Sequence, residues 1–210
     1  MKLQLALLTL TCLSFGCGGG KSPADPADAS ASGADAGTHN DAGASMPDAG
    51  NAAAPSCADY CAAIQANCMG QDQQYESAAN CLATCAAMDP GAAADRMGNT
   101  LGCRAYHAGA AAGNPAVHCP HAGPGGGGVC GNNCDSFCAL SLAICTGANQ
   151  VYTDTADCMT ECSTVPDTVR YTTAATNPGS AACFVWYIQH DSVDPRDCLA
   201  NLSHTTVLCD

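Results

Sequence analysis

The sequence predicts an all-α, disulfide-rich fold: two tandem small helical modules, each a disulfide-laced α-hairpin with additional short helices. Three observations predict it. Sixteen of the eighteen cysteines form one pattern written twice: Cys57, Cys61, Cys68, Cys81, Cys85, Cys103, Cys119 and Cys130 are matched in order by Cys134, Cys138, Cys145, Cys158, Cys162, Cys183, Cys198 and Cys209. The first four gaps and the last are equal in the two copies; the two between the fifth and seventh cysteines differ by a few residues. The close pairs are separated by three residues, so at about 100° per residue Cys57, Cys61 and Cys68 fall within roughly 40° of one another on a helix. Helix caps and glycines stand at matching places around both sets. An even, duplicated cysteine set of this kind describes covalent architecture more than chemistry.

The chain opens with Lys2 and an apolar run over residues 3–13, too short for a transmembrane helix and suited to an export signal. The segment Leu13-Ser14-Phe15-Gly16-Cys17, followed by three glycines, resembles a bacterial lipoprotein signal, although Leu13 lies four residues before Cys17 where the family has three. The resemblance implies a signal peptide over 1–16, lipidation of Cys17 and a membrane anchor. Ser14-Phe15-Gly16 also suits ordinary signal peptidase, which would yield a secreted protein. The expected location is therefore the bacterial cell envelope, lipid-anchored on its periplasmic or surface face, with secretion as the alternative. Residues 17–56 carry the lipidated cysteine and a stretch of Ala, Asp, Gly, Ser, Pro and Asn, with Asp-Ala-Gly recurring at 35–37, 41–43 and 48–50. With large aliphatics and aromatics missing, this stretch has little to bury and is expected to be a disordered linker, and His39 within it a solvated bystander.

The body divides into modules over 57–131 and 132–210. Its fourteen acidic residues outnumber its basic ones, which are four arginines. That balance argues against nucleic acid and anionic lipid surfaces as partners, since both require a cationic footprint. Aromatics are 5% of the chain while glycines number 22, so a large apolar core is not available and disulfides are expected to replace it.

Each module opens with a helix, near 57–69 and 134–146. Ser56 and Asn133 are the expected N-caps, Asp59 is a capping-box variant, and Gly70 and Gly147 are the expected left-handed stops. A second helix follows near 77–88 and 154–164, started by Ser77 or Asp154. Two antiparallel helices with cysteines at i and i+4 are laced by nested bridges: Cys57–Cys85 outside Cys61–Cys81, and Cys134–Cys162 outside Cys138–Cys158. The crossed pairing does not fit the register. This twin C-x3-C hairpin is similar to the small chaperones of the mitochondrial intermembrane space and to plant α-hairpinins, over 57–85 and 134–162 alone; those families differ in activity, so the resemblance implies a fold element only. The four remaining cysteines of each copy allow three connectivities; Cys68–Cys103 with Cys119–Cys130 is the favoured one, and correspondingly Cys145–Cys183 with Cys198–Cys209. Third helices are expected behind Thr100 and Ser180. Fourth helices start at Asn114-Pro115, which is stopped early by Pro120 and the glycine run 123–128, and at Asp194-Pro195, running to about residue 203. The run 125–128 reads as a flexible loop.

The chain has no Cys-x-x-Cys, Cys-x-x-Cys-His, nucleophile elbow, His-Glu-x-x-His or phosphate loop, and it is not expected to be an enzyme. No cofactor is assigned. Two metal readings stand beside that. His107, His118 and His121 lie close together near Tyr106 and Cys119 and suit copper, zinc or haem iron. They are not duplicated, because Tyr187, Asp197 and Ala200 occupy the matching places; a packing role is the competing explanation for His107. The C-x3-C pairs also resemble those of exported copper-storage proteins, whose thiolates hold Cu(I), with Met69, Met88, Met97 and Met159 as further donors; an even count in an oxidising compartment favours disulfides instead. His190 and His204 have no neighbours in sequence. Asp154/Asp157 and Asp191/Asp194 read as capping residues at helix starts. Phe184, Val185, Trp186 and Ile188 form the expected core of the second module. Together these readings give a cell-envelope lipoprotein with a binding or structural body, whose partner is the membrane through its anchor and an envelope protein or small ligand at a groove or apolar patch where the modules meet.

Overall fold

The computed structural model describes residues 55–174 and 178–199. The signal peptide, Cys17, His39 and nearly all of the tether, together with Ala200, His204 and Cys209, lie outside the described residues. Among those described the chain is all-helical, without strands. The first copy contains α1 (Cys57–Asn67), α2 (Ala78–Ala86), α3 (Leu101–Ala110) and α4 (Pro115–Ala122). The second contains α5 (Asn133–Ile144), α6 (Thr155–Cys162), α7 (Ala181–Asp191) and a 3₁₀ turn over Pro195–Asp197 that leads into helical Cys198 and Leu199; the rest of the expected fourth helix, to about residue 203, lies outside the described residues.

Local chemistry sets the helix ends. Ser56 accepts the backbone N–H of Asp59, Ser77 that of Asn80, Thr100 that of Cys103 and Asp154 that of Asp157. In α5 the cap is Asn132, one residue before the expected Asn133, because Asn132 and Asp135 close a full capping box. α1 and α5 end at residues 67 and 144, ahead of the glycines. Gly70 and Gly147 have φ of 62° and 60° and open matching 3₁₀ turns; no atom lies within 4 Å of an added Cβ, so the left-handed backbone alone calls for glycine.

The nested bridges Cys57–Cys85, Cys61–Cys81, Cys134–Cys162 and Cys138–Cys158 are all present. The outer staples differ from expectation: Cys68 bonds Cys119 and Cys103 bonds Cys130, while Cys145 bonds Cys198. The direction of α3 explains this. Backbone hydrogen bonds from Leu101 to Asp89 and from Gly102 to Pro90 seat the start of α3 beside the end of α2, and so beside the start of α1. Cys68 is at the other end of α1, about 16 Å away for eleven helical residues. It meets α4 instead, where α3 has finished and the chain has turned back; Asn67 donates to the Ala108 carbonyl at that end. Cys183 is also disulfide-bonded, to a partner outside the described residues.

The two copies belong to one compact unit, Pro47–Asp210, and α7 of the second packs on α2 of the first. The contact is tied by polar groups, including Thr84 with Ser192 and Thr173 N–H to the Gln73 carbonyl. Arg104, 1% exposed, also bridges the copies: it donates to Ser136 of α5, to Asn99 and to the carbonyls of Gly123, Pro124 and Thr100. Phe184, Val185 and Ile188 are fully buried in the second copy, as expected, while Trp186 is only half-buried. No described helix is long and apolar enough to cross a membrane.

Candidate functional site

α3 and α4 form a second hairpin, linked by a short turn at 111–114, and they present the three histidines to one another. His107 stands one turn after Cys103 on the inner side of α3 and is buried. His118 and His121 stand three residues apart on α4, which places them on one side of that helix. One ring nitrogen from each of His107, His118 and His121 falls within 4.8 Å of the other two. The ring centroids of His107 lie 5.2 Å from His118 and 4.9 Å from His121.

The hydrogen bonds assign the tautomers. His107 Nε2 lies 3.3 Å from the Arg96 carbonyl, which can only accept, so Nε2 carries the hydrogen and Nδ1 presents a lone pair. His118 Nδ1 lies 3.0 Å from that lone pair and donates to it. His121 Nδ1 is buried without a hydrogen-bond partner. Burial pushes the pKa of His107 and of His121 below the ordinary histidine value, so both rings are neutral donors at pH 7.

Packing around the rings holds this arrangement. Gly127, at φ 55°, lies against His121: an added Cβ would come within 2.9 Å of His121 Cδ2 and 3.0 Å of the Pro120 backbone. The glycine run is thus an ordered turn over Gly126–Gly128, pinned by Cys103–Cys130, where a flexible loop was expected. Glycine runs are compatible with either outcome, so only the packing decides. The Cys103–Cys130 sulfurs lie within 4.8 Å of a His107 ring nitrogen. Tyr106 packs edge-on to His107 and carries the Arg96 guanidinium 3.9 Å above its own ring.

The other candidates separate from this cluster. The described body cysteines are all disulfide-bonded, so none offers the thiolate that a Cu(I) store requires. Met69 and Met97 are exposed and Met88 and Met159 are partly buried against apolar neighbours. Asp154 and Asp157 cap α6 and its approach, and Asp194 caps the 3₁₀ turn. Asp191 does not start a helix; it ends α7, fully buried near Cys145 and Cys198. His190 lies across the copies from the first histidine group, stacked on Trp186 and 3.3 Å from Glu76. The junction of the copies holds a cleft of about 230 Å³, lined by the glycine turn, Asn133, Asp167, Val169, Arg170 and Tyr171, at the place where a groove or apolar patch was expected. A second cleft of about 200 Å³ lies beside the end of α1. Sequence reasoning missed Arg104, whose buried role had no signal beyond its being one of four basic residues in the body.

Residues 38–133, under half of the chain, match a family described as the BfoA family C-terminal domain. The match covers the whole first copy, including its three histidines, and ends where α5 begins. Two strains of Aspergillus niger have a protein named Aurasperone B biosynthesis cluster protein A, each 39% identical to this chain over 71 residues. That segment is 33% of this chain and 23% of the relative, so the chain spans about a quarter of the length of the curated relatives it matches. No solved structure matches.

Proposed function

We propose that this chain is a cell-envelope lipoprotein, anchored through lipidated Cys17 and a flexible tether, whose stapled helical body is a binding module and not an enzyme. Seven described bridges require an oxidising compartment, so the body is non-cytoplasmic. The lipid anchor is the finer statement and is supported by the Leu13–Cys17 segment. One observation carries the binding reading: the scaffold is duplicated, but only the first copy gathers three imidazoles, two of them desolvated and one with a buried ring nitrogen left unpaired. A ring packs at the place of His107 in both copies, since Tyr187 stands there on α7, but His118 and His121 have no such counterpart: Asp197 and Ala200 occupy the matching positions. A buried polar atom without a partner destabilises a fold, and a ligand that completes it is one reason for it to persist. The relatives are named for a biosynthesis cluster; at 23% of their length that name lends this chain no reaction.

The full chain, exported by its own signal and labelled with an alkyne fatty acid, tests the anchor. Wild type should carry the label, and Cys17→Ser should lose it and release the body into the soluble fraction; an unlabelled, soluble wild type refutes the anchor. Native mass spectrometry tests the site. Wild type should carry a mass excess that a His118→Asp/His121→Ala variant, bearing the second copy's residues, lacks. Identical masses after allowing for the substitutions refute binding there.

A further inference from the structure

The geometry points to a mononuclear divalent transition-metal site formed by His107, His118 and His121, with copper(II) or zinc(II) as its ligand class. It rests on the reading that the histidine face of the first copy is the binding site, and it names what binds.

Four features of the cluster support a single ion. The first is spacing. Two imidazole nitrogens each about 2.0–2.1 Å from one ion stand about 2.9 Å apart at a right angle and about 3.3 Å apart at a tetrahedral angle. The Nδ1 atoms of His107 and His118 are 3.0 Å apart, within that window. Before an ion enters, the gap is spanned by a hydrogen bond; moving the His118 hydrogen from Nδ1 to Nε2 frees the second lone pair. The second is orientation. His107 already donates its distal Nε2–H to the Arg96 carbonyl, the outer contact that fixes a liganding imidazole and raises its basicity. The third is the third ligand: His121 brings a ring nitrogen within 4.8 Å of both others, has an unpartnered buried Nδ1, and is held by the close approach of Gly127. The fourth is rigidity. α3 is fixed by Cys103–Cys130 and α4 by Cys68–Cys119, so each element that carries a ligand is covalently stapled, and the rings are placed before the ion arrives.

The donor set selects the class of ion. Three imidazoles with no carboxylate suit borderline ions and are poor ligands for calcium or magnesium, which require oxygen. The 4.8 Å convergence fits one ion, whereas haem requires a planar slot between its axial ligands. His118 and His121 are half-buried, which leaves solvent access for entry and for a fourth, exchangeable ligand.

The test uses the full exported chain with its disulfides intact, stripped of metal and titrated with zinc(II) or copper(II) by calorimetry, with magnesium(II) as control. One equivalent should bind, and copper(II) should give an electron paramagnetic resonance spectrum with nitrogen coupling. His118→Ala and His121→Ala should each weaken binding by at least ~10-fold, and His190→Ala should not. Disulfide count and helical circular dichroism, unchanged in these variants, show that the fold persists. Zinc alone, copper alone or both binding at this stoichiometry supports the site and identifies the ion. No stoichiometric binding by folded wild type, or equal binding by the variants, overturns it. If native mass spectrometry nonetheless finds a histidine-dependent adduct, the binding reading stands and only the metal is wrong.

Discussion

The two copies share a covalent scaffold and fill it differently. In the first, Tyr60 donates to the Ala122 carbonyl at 2.7 Å and accepts from Tyr75 at 2.9 Å, while Arg104 lies buried among neutral acceptors. Burial pushes the Tyr60 pKa up to about 12 and Tyr75 well above its ordinary value. In the second, the matching places hold Phe137 and Phe184, packed at 5.1 Å between centroids, with Val185 and Ile188 fully buried beside them. A small domain with little apolar surface depends on its staples for stability. Once the staples carry that load, the interior tolerates hydrogen-bonded polar groups in place of an apolar core. The first copy uses that tolerance, and its histidines sit at the edge of its polar interior.

If the staples carry both copies, removing the equivalent one should cost the same in each. Cys68–Cys119 and Cys145–Cys198 span 51 and 53 residues, and by loop entropy each contributes about 4 kcal/mol. Cys68→Ala/Cys119→Ala and Cys145→Ala/Cys198→Ala should therefore lower stability by about the same amount in denaturant titrations. A cost near zero in the second copy alone would mean that its apolar core suffices. The repeat also assigns Cys209 as the partner of Cys183, matching Cys103–Cys130, and peptide mapping without reductant checks that pairing.

These outer staples mark the limit of what could be read from residues. The inner pairs followed from helix period and register, because i and i+4 on two antiparallel helices leave a single uncrossed pairing. The Cys68–Cys119 bond depends on which way α3 runs, and that is set by long-range backbone contacts at Asp89 and Pro90 that no local pattern encodes. The histidines were legible as a group because they stand close together in sequence near a turn. The meeting of His118 and His121 with His107, and the unpaired Nδ1 of His121, required the packing of α4 on α3 and of the glycine turn on His121.

The buried arginine tests whether the two interiors differ in kind. Arg104→Leu strands Ser136, Asn99 and three carbonyls, and should cost about 3 kcal/mol. Phe184→Leu, at the matching place, exchanges one apolar side chain for another and should cost about 1 kcal/mol. Equal costs would show that Arg104 is held by volume and not by its hydrogen bonds. Tyr60→Phe, which gives the first copy the second's residue, removes one buried hydroxyl from the Tyr75 and Ala122 contacts and should cost about 1 kcal/mol by thermal unfolding at neutral pH.

The smallest expected effect is confined to the first copy and depends on pH. His107 faces His118 and Arg96, and His121 faces His107, His118 and Arg170, so burial and neighbouring positive charge both disfavour protonation. With folded pKa values below the unfolded value of about 6.5, the unfolded chain takes up protons first as the solution is acidified. The stability held by these rings is therefore complete above about pH 6.5 and is lost as pH falls through their depressed values. Metal-free protein should show a declining unfolding midpoint across that range, and a His107→Gln/His121→Ala variant should show a flatter profile. A saturating metal ion should steepen the wild-type decline, because protons and the ion compete for the same nitrogens, and leave the variant unchanged. Equal slopes in wild type and variant would place the acid sensitivity elsewhere, among the carboxylates that both copies use as helix caps.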